Sequence, residues 1–305
     1  MRPRPTPATR RLLAPVGALL APLLAVAQGA ASAGPGSGAA PPPAAGAPAA
    51  AAPPAAPPAG APAIPAAAPA PAAAGLPEPV ARLLAAADAA YLRRDEPGQL
   101  AAVKSALDEA ERLAPEEFEV VWRISRYYFW TADDPRITNE EKSRQGKLGW
   151  DYGDRAAAKR PDRVEGWFYG ASGVGQYSLG ISVVTALFQG MEGKFTDRLK
   201  KAQAIDPSIN GWAADVSWGR YWFELPWPKY DAEKSEKAYR AALRHNRANL
   251  RAKTYLAELF IKEDYLKEAQ KLLEEVLAAV PGAYDAPEER RSQEIAKAVL
   301  AKLKS

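Results

Sequence analysis

Residues 266–281 read LKEAQKLLEEVLAAVP. Leu266, Ala269, Leu272, Leu273, Val276, Leu277 and Val280 recur at steps of three, one and three. That is the period of an amphipathic helix, not the alternation of a half-buried strand. Pro281 closes the stretch, because proline cannot continue the helical hydrogen-bond ladder.

The same ending returns upstream. Residues 110–115 read AERLAP, 156–161 AAAKRP, 202–207 AQAIDP and 242–247 ALRHNR, the last without its proline. Each carries a small or apolar residue five places before the stop. The stops fall at 115, 161, 207, 247 and 281, so the spacings are 46, 46, 40 and 34. The last is the tetratricopeptide period, and the longer ones are that unit with extended helices or loops. Each unit is then two antiparallel helices, and the small residue lets the second helix approach its neighbours closely. Ser235, Ala238, Tyr239, Ala242 and Leu243 repeat the stripe in the fourth unit, and Val103, Ala106, Leu107 and Ala110 in the first. The predicted units are 78–115, 117–161, 163–207, 211–247 and 248–281. A final helix over roughly 286–304, with Ile295, Val299 and Leu303 on one face, suits a cap on the open end of the stack. The expected fold class is all-α: a tetratricopeptide-like helical-hairpin solenoid of about five helix pairs plus a C-terminal capping helix.

The chain ahead of this domain (77–305) divides in two. Residues 1–33 read as a signal peptide: Arg2, Arg4, Arg10 and Arg11, an apolar run from Leu12 to Val26, then the small-residue sites Ala25-Val26-Ala27 and Ala31-Ser32-Ala33. Cleavage would release a periplasmic or exported protein, and retention would leave a membrane anchor. Residues 34–76 hold 13 prolines in 43 positions and no charge. They read as a disordered Pro/Ala-rich linker, extended to roughly 130 Å at full polyproline stretch. It serves either as a plain spacer or as an envelope stalk.

Every acidic residue lies from Glu78 onward, and removing the four signal arginines leaves 36 basic and 36 acidic residues. No basic excess remains for nucleic acid. There is no cysteine, and His245 is the only histidine, which excludes disulfides, thiol catalysis and a His-rich zinc site. No cofactor, no metal and no catalysis are expected. The carboxylate pairs Asp133-Asp134 and Glu140-Glu141 read as solvated charge in a polar loop. Gly170 to Gly180, GASGVGQYSLG, lacks the lysine of a phosphate loop, and close helix packing explains its small residues better. The apolar stretch from Ile181 to Met191 reads as buried in the stack, with a cavity mouth or a membrane contact as the other readings.

A more specific likeness lies in Ile205-Asp206-Pro207, Trp218-Gly219-Arg220-Tyr221, Glu224-Leu225-Pro226-Trp227-Pro228, Ala241-Ala242-Leu243, Tyr255-Leu256-Ala257-Glu258-Leu259, Glu268-Ala269 and Leu272 to Leu277. Ala156 to Pro161 and Glu165-Gly166-Trp167 join it. Over about residues 115–285 the chain resembles the T-component family associated with tripartite ATP-independent periplasmic transporters. The resemblance implies a periplasmic protein working beside a solute-binding protein, and a helical stack around a central cavity or pore. Many members are lipoproteins, whereas this chain has no cysteine to acylate.

All eight tryptophans, Trp122 to Trp227, lie in the middle units. They either pack between helices or line a cavity for a small apolar ligand. Aligning Trp122-x-x-Ser125-Arg126-x-x-Phe129 and Asp215-x-x-Trp218-Gly219-x-x-Trp222 with the first-helix pattern turns their neighbours toward the inner surface. The candidate ligand- or partner-binding residues are Arg123, Tyr127 and Trp130, then Phe168, then Arg220 and Phe223, then Arg251. Arginine among aromatics suits a carboxylate with an apolar tail, and an ion pair is the plainer use of each arginine. The functional expectation is a non-enzymatic binding or adaptor protein with a protein partner. A generic envelope scaffold with a concave protein-binding surface is the alternative.

Overall fold

The computed structural model describes residues 75–303, so the expected signal and nearly all of the linker lie outside the described residues. The described chain is helical, and no strand occurs among the described residues. Its helices pair as α1 (Glu78–Tyr91) with α2 (Gln99–Leu113), α3 (Phe118–Ala132) with α4 (Asn139–Lys159), and α5 (Val164–Gly180) with α7 (Met191–Ile205). A short α6 (Val183–Phe188) interrupts the third pair. Then come α8 (Ile209–Glu224) with α9 (Ala232–His245), α10 (Leu250–Lys262) with α11 (Leu266–Ala278), and finally α12 (Ala286–Leu303). The five pairs and the last helix follow the predicted units, and α6 is the addition.

The repeated ending has a physical basis at each copy. The second helices α2, α4 and α7 stop two residues before Pro115, Pro161 and Pro207, since a residue preceding proline is pushed out of helical angles. Ala110, Ala156, Ala202, Ala242 and Val276 have no exposed surface. The first four each receive the N–H of the residue that ends their helix, Ala114, Arg160, Asp206 and Asn246 respectively. The fourth ending lacks proline, and Asn246 replaces it. Its backbone is extended, its side chain is fully buried, and its Oδ1 accepts the N–H of Ala248 at 3.0 Å.

Helix starts are written locally too. Thr138 accepts the N–H of Glu141 at 3.2 Å, Asp231 that of Lys234 at 2.9 Å, and Asn249 that of Ala252 at 2.9 Å. Such caps satisfy one of the four orphan donors of a helix start.

The closest helix pair is α4 against α5. A Cβ on Gly146, Gly153, Gly166, Gly173 or Gly180 would run into the backbone of the facing helix. Glycine is therefore required there by approach rather than by angle, which is the packing role expected of 170–180. Burial of Ile181 to Met191 is not what the structure shows. Only Ala186 and Met191 are buried, while Val184 is 51% and Phe188 89% exposed. Six residues make too short a helix to cover both its faces, so its apolar stripe is left outside.

Candidate functional site

The first helix of each pair faces inward. α3 packs on α5, α5 on α8, α8 on α10 and α10 on α12. The second helices instead pack on their own partner or on the next first helix. The inner helices thus turn toward one another, and α12 returns to the first two pairs. The contacts there join residues up to 195 positions apart in the chain.

That return is made by guanidinium groups interleaved with rings. Arg291 of α12 lies with its guanidinium carbon 3.3 Å from the centre of the Trp130 ring, and Arg94 lies 4.1 Å from the same ring. Arg94 also sits 4.3 Å from the Tyr91 ring centre, and Arg126 sits 4.0 Å from it. Arg126 reaches on to Trp122 at 4.9 Å, and Trp122 stacks on Tyr169 of α5 at 6.0 Å with 9° between planes. Cation–π contacts strengthen when water is excluded, and Trp122, Trp130 and Tyr169 are all nearly inaccessible.

Carboxylates flank the ladder. Asp285 takes Arg94 Nη2 on both oxygens, at 2.9 and 2.8 Å. Asp133 accepts Arg251 Nη2 at 2.6 Å and pairs with Arg291 at 3.5 Å, while Arg291 also donates to the Trp130 carbonyl at 2.9 Å. Asp88 accepts Arg123 Nε and Nη2, and Arg126 Nη2 at 2.5 Å. Arg251 also binds Glu288, and Arg123 binds Glu119 at 2.7 Å. Burial pushes the Asp133 carboxyl upward, but Arg251 and Arg291 prevail and hold it at about 2 against an ordinary 3.8. Asp88 is likewise lowered, with burial outweighed by Arg123 and Arg126. Burial works against the charge of Arg94, yet Tyr91 and Asp285 raise its pKa. Buried charges persist only when paired in this way.

The position of Asp133 corrects a sequence expectation. The sequence reads it as solvated charge, but its side chain is 10% exposed and it joins α3 to α10 and α12. Its neighbour Asp134 pairs with Arg136 at 2.7 Å, and Glu141 with Arg144 at 2.6 Å on the surface.

The structure brings Arg123, Trp130 and Arg251 of the sequence candidates into this one network. Arg220 and Phe223 form an adjoining cluster: Arg220 binds Glu224 at 2.5 Å and Glu258, and lies 4.7 Å from the Phe223 ring and 4.5 Å from the Tyr255 ring. Tyr255 joins the two, since its hydroxyl accepts Arg251 Nη1 at 3.2 Å. Phe168 is buried against Phe129 and Tyr169. Tyr127 lies apart, in a shallow groove with Lys104, Ser105 and Asp108 on α2.

Sequence reasoning misses Arg94, Arg126, Asn210, Asp285 and Arg291. Arg126 is within its reach: four residues before Trp130, it lies about 40° round the helix from it, nearer than Tyr127 at about 60°. Arg94, Asp285 and Arg291 carry no local signal, because they meet only when the chain closes.

Three consecutive residues at the start of α8 depart from helical geometry: Asn210 (φ 46°), Gly211 (φ 64°) and Trp212 (φ 64°). Left-handed angles at non-glycine residues are strained and persist where surroundings over-determine them. Here Asn210 Nδ2 donates to the Tyr169 hydroxyl at 3.1 Å, and Asn249 Nδ2 donates to the Gly211 carbonyl at 3.1 Å. A Cβ on Gly211 would stand 3.0 Å from the Tyr284 ring.

Among the described residues no group of His, Asp or Glu is placed to hold a metal ion, and no helix is long and apolar enough to cross a membrane.

No family model matches the chain, and no curated protein matches it in sequence. Among solved structures it is similar to the crystal structure of a thermophilic TPR (tetratricopeptide repeat) protein from Thermus thermophilus. The two share 16% identity, the match covers 73% of this chain and 99% of that one, and the TM-score is 0.55. At that identity the likeness establishes the fold: a tetratricopeptide-like stack of helical hairpins.

Proposed function

We propose that this chain is a non-enzymatic adaptor that binds a protein partner and holds a small apolar or carboxylate-bearing ligand on its inner wall. The observation that carries the reading is the inner wall itself. Successive first helices contribute arginine and aromatic side chains to one buried network, in a fold whose repeats present extended binding surfaces. Fold alone names no partner. The finer reading follows the T-component resemblance over residues 115–285: an exported, periplasmic protein that works beside a solute-binding protein of a transporter. The Arg-rich, apolar start of the chain supports export, and the Gly219-Arg220-Tyr221 to Leu225-Pro226-Trp227-Pro228 stretch supports the association.

The second reading is an envelope scaffold that binds protein only. It draws on two large apolar side chains left exposed, Phe188 at 89% and Trp227 at 86%, either of which would give a protein partner an apolar anchor. Affinity capture of the mature protein from its own envelope, followed by mass spectrometry, separates the two. The adaptor reading expects a solute-binding protein in near-equal amount. Recovery of envelope-assembly proteins instead, with no solute-binding protein, would replace it by the scaffold.

A further inference from the structure

Five of the nine large apolar side chains exposed among the described residues share one edge of the stack. Val184 and Phe188 lie in α6, between the helices of the third pair. Trp227 lies in the turn between α8 and α9, and Tyr265 and Leu266 where α10 turns into α11. These three turns stand side by side. Glu192 accepts the Tyr221 hydroxyl at 2.7 Å and pairs with Lys229, which ties the first to the second. The Tyr230 hydroxyl donates to Glu263 at 2.8 Å, and Lys262 lies 3.8 Å from the Tyr230 ring centre, which ties the second to the third. The other four, Leu92, Leu113, Ile205 and Val280, are scattered singly at the ends of α1, α2, α7 and α11.

The edge is apolar in its projecting side chains and neutral in its charge. Residues 181–194, 225–234 and 262–267 together carry five lysines and five acids. Glu192 pairs with Lys229, and Asp231 with Lys234 at 3.1 Å. Behind the projecting side chains stand half-buried amphipathic rings with their polar ends tied. Tyr177 donates its hydroxyl to Gln189 at 3.1 Å, Tyr221 donates to Glu192, and Lys234 Nζ lies 4.2 Å from the Trp222 ring centre. Tyrosine and tryptophan gather at membrane–water interfaces because one end is apolar and the other wet. Phe188 and Trp227 project from separate turns and are almost wholly exposed. A protein partner is held by side chains packed together in a dry pocket, whereas a bilayer interface takes up projecting apolar side chains one by one. The sequence ahead of the domain points to the same surface. While the apolar run from Leu12 to Val26 is attached, the linker over 34–76 keeps the domain within roughly 130 Å of a membrane.

The geometry points to this edge as a docking surface for the interfacial layer of a lipid bilayer. Phe188 and Trp227 enter the boundary between headgroups and acyl chains, and Val184, Tyr265 and Leu266 rest against it. The lysines of the same turns keep their stems on apolar surface and their charges in water. Because the charges balance, transfer of apolar surface supplies the binding and zwitterionic lipid suffices. This inference is independent of the adaptor and scaffold readings, which are measured by capture.

The chain has no cysteine, so a single introduced one reports on a single place. Thr185→Cys stands beside Val184 and Phe188, and Ser208→Cys stands in the turn between α7 and α8, on the opposite edge. Each is labelled in the full chain with a polarity-sensitive dye and mixed with phosphatidylcholine vesicles. The expected result is a blue-shifted emission, at least twofold brighter, at 185 and no change at 208. The dye reads only its own surroundings, so insertion of residues 12–26 does not imitate that pattern. Adding Phe188→Ser and Trp227→Ser to the 185 reporter should raise the lipid needed for half response about tenfold or more. The far-ultraviolet helical signal should stay intact, since both rings are exposed. Should the doubly substituted chain not fold, Trp227→Ser alone is expected to raise it several-fold. No response at 185, an equal response at 185 and 208, or an unchanged response in the substituted chains overturns the surface. A response at 185 to soluble envelope proteins, with none to vesicles, also overturns it and marks the edge as a protein contact.

Discussion

Two kinds of seam hold this molecule together, and they are built from opposite materials. Where one helix pair meets the next, most of the contact is apolar and small, with Leu107, Leu199, Tyr239 and Leu273 at no more than 1% exposure, the alanines of the helix endings, and the glycines of α4 and α5; Asp88 with Arg123 and Arg220 with Glu258 are the ion pairs set among them. Where the last helix returns to the first two pairs, the contact is Arg94 on Asp285, Arg291 on Asp133 and Trp130, and Arg290 on Asp95. Burial of apolar surface is non-directional and tolerates small shifts, whereas bidentate pairs fix a geometry. The apolar seams therefore supply most of the stability. The closing seam sets which end meets which, and at what angle.

Overfilling an apolar seam should do the most damage. Gly166→Leu places a side chain where even a Cβ would meet the Ala157 backbone. The facing atoms are main chain and cannot step aside. A loss of about 3 kcal/mol or more is expected, at the upper end of overpacking effects. Urea unfolding of the variant measures it. A stability within about 1 kcal/mol of the parent would mean that the α4–α5 approach is not as close as described.

The closing seam should fail more locally. Asp133→Asn leaves Arg251 and Arg291 with one acid fewer in a buried place, and removing one partner of such a network costs about 3 kcal/mol. Hydrogen exchange should show faster exchange in α12 and the end of α3, with α4 and α5 nearly unchanged. Equal acceleration everywhere would mean that the two seams are one cooperative unit.

Acid offers a gentler approach to the same contact. The Asp133 pKa is depressed from 3.8 to about 2, so its contribution is fully present above about pH 4 and is lost as pH falls through 2. The shift corresponds to about 2 kcal/mol. Asp88 moves in the same direction, with Arg123 and Arg126 as its cause. Stability measured from pH 5 to pH 2 should fall more steeply in the parent than in Asp133→Asn, which has already lost that carboxylate. Parallel curves would remove Asp133 from the account.

The difference between the seams also explains what is legible in advance. A recurring stripe such as 266–280, with an alanine or valine five places before each stop, reports neighbours in sequence. It predicts the helix pairs and the capping helix, even where the fourth ending has Arg247 in place of the proline. Arg123, Trp130 and Arg251 follow from first-helix register, which tells which way a side chain faces. Register does not tell what stands opposite. Asp133 reads as loop charge because its partners are 118 and 158 residues away, and Arg94 waits 191 residues for Asp285. The same register points Tyr127 inward, yet it lies toward α2, because a first helix has a flank as well as a face. The left-handed turn at 210–212 leaves a trace in Asn210-Gly211, a pair suited to such angles, inside a stretch that otherwise reads as helix.

The smallest effect separates the buried part of the closing seam from its rim. Arg290 and Asp95 are 43% and 24% exposed, whereas Arg94 is 3% and Asp285 22%. An exposed pair contributes about 0–1 kcal/mol and is screened by salt, while a buried pair is screened little. Arg290→Ala should therefore change stability by less than about 1 kcal/mol, and the loss should shrink further at high salt. Exchange protection of α12 in the parent should survive the same salt, because Arg94–Asp285 and Arg291–Trp130 lie beneath the rim. If salt alone released α12, the exposed charges would carry the closure, and the buried ladder would be its consequence rather than its clasp.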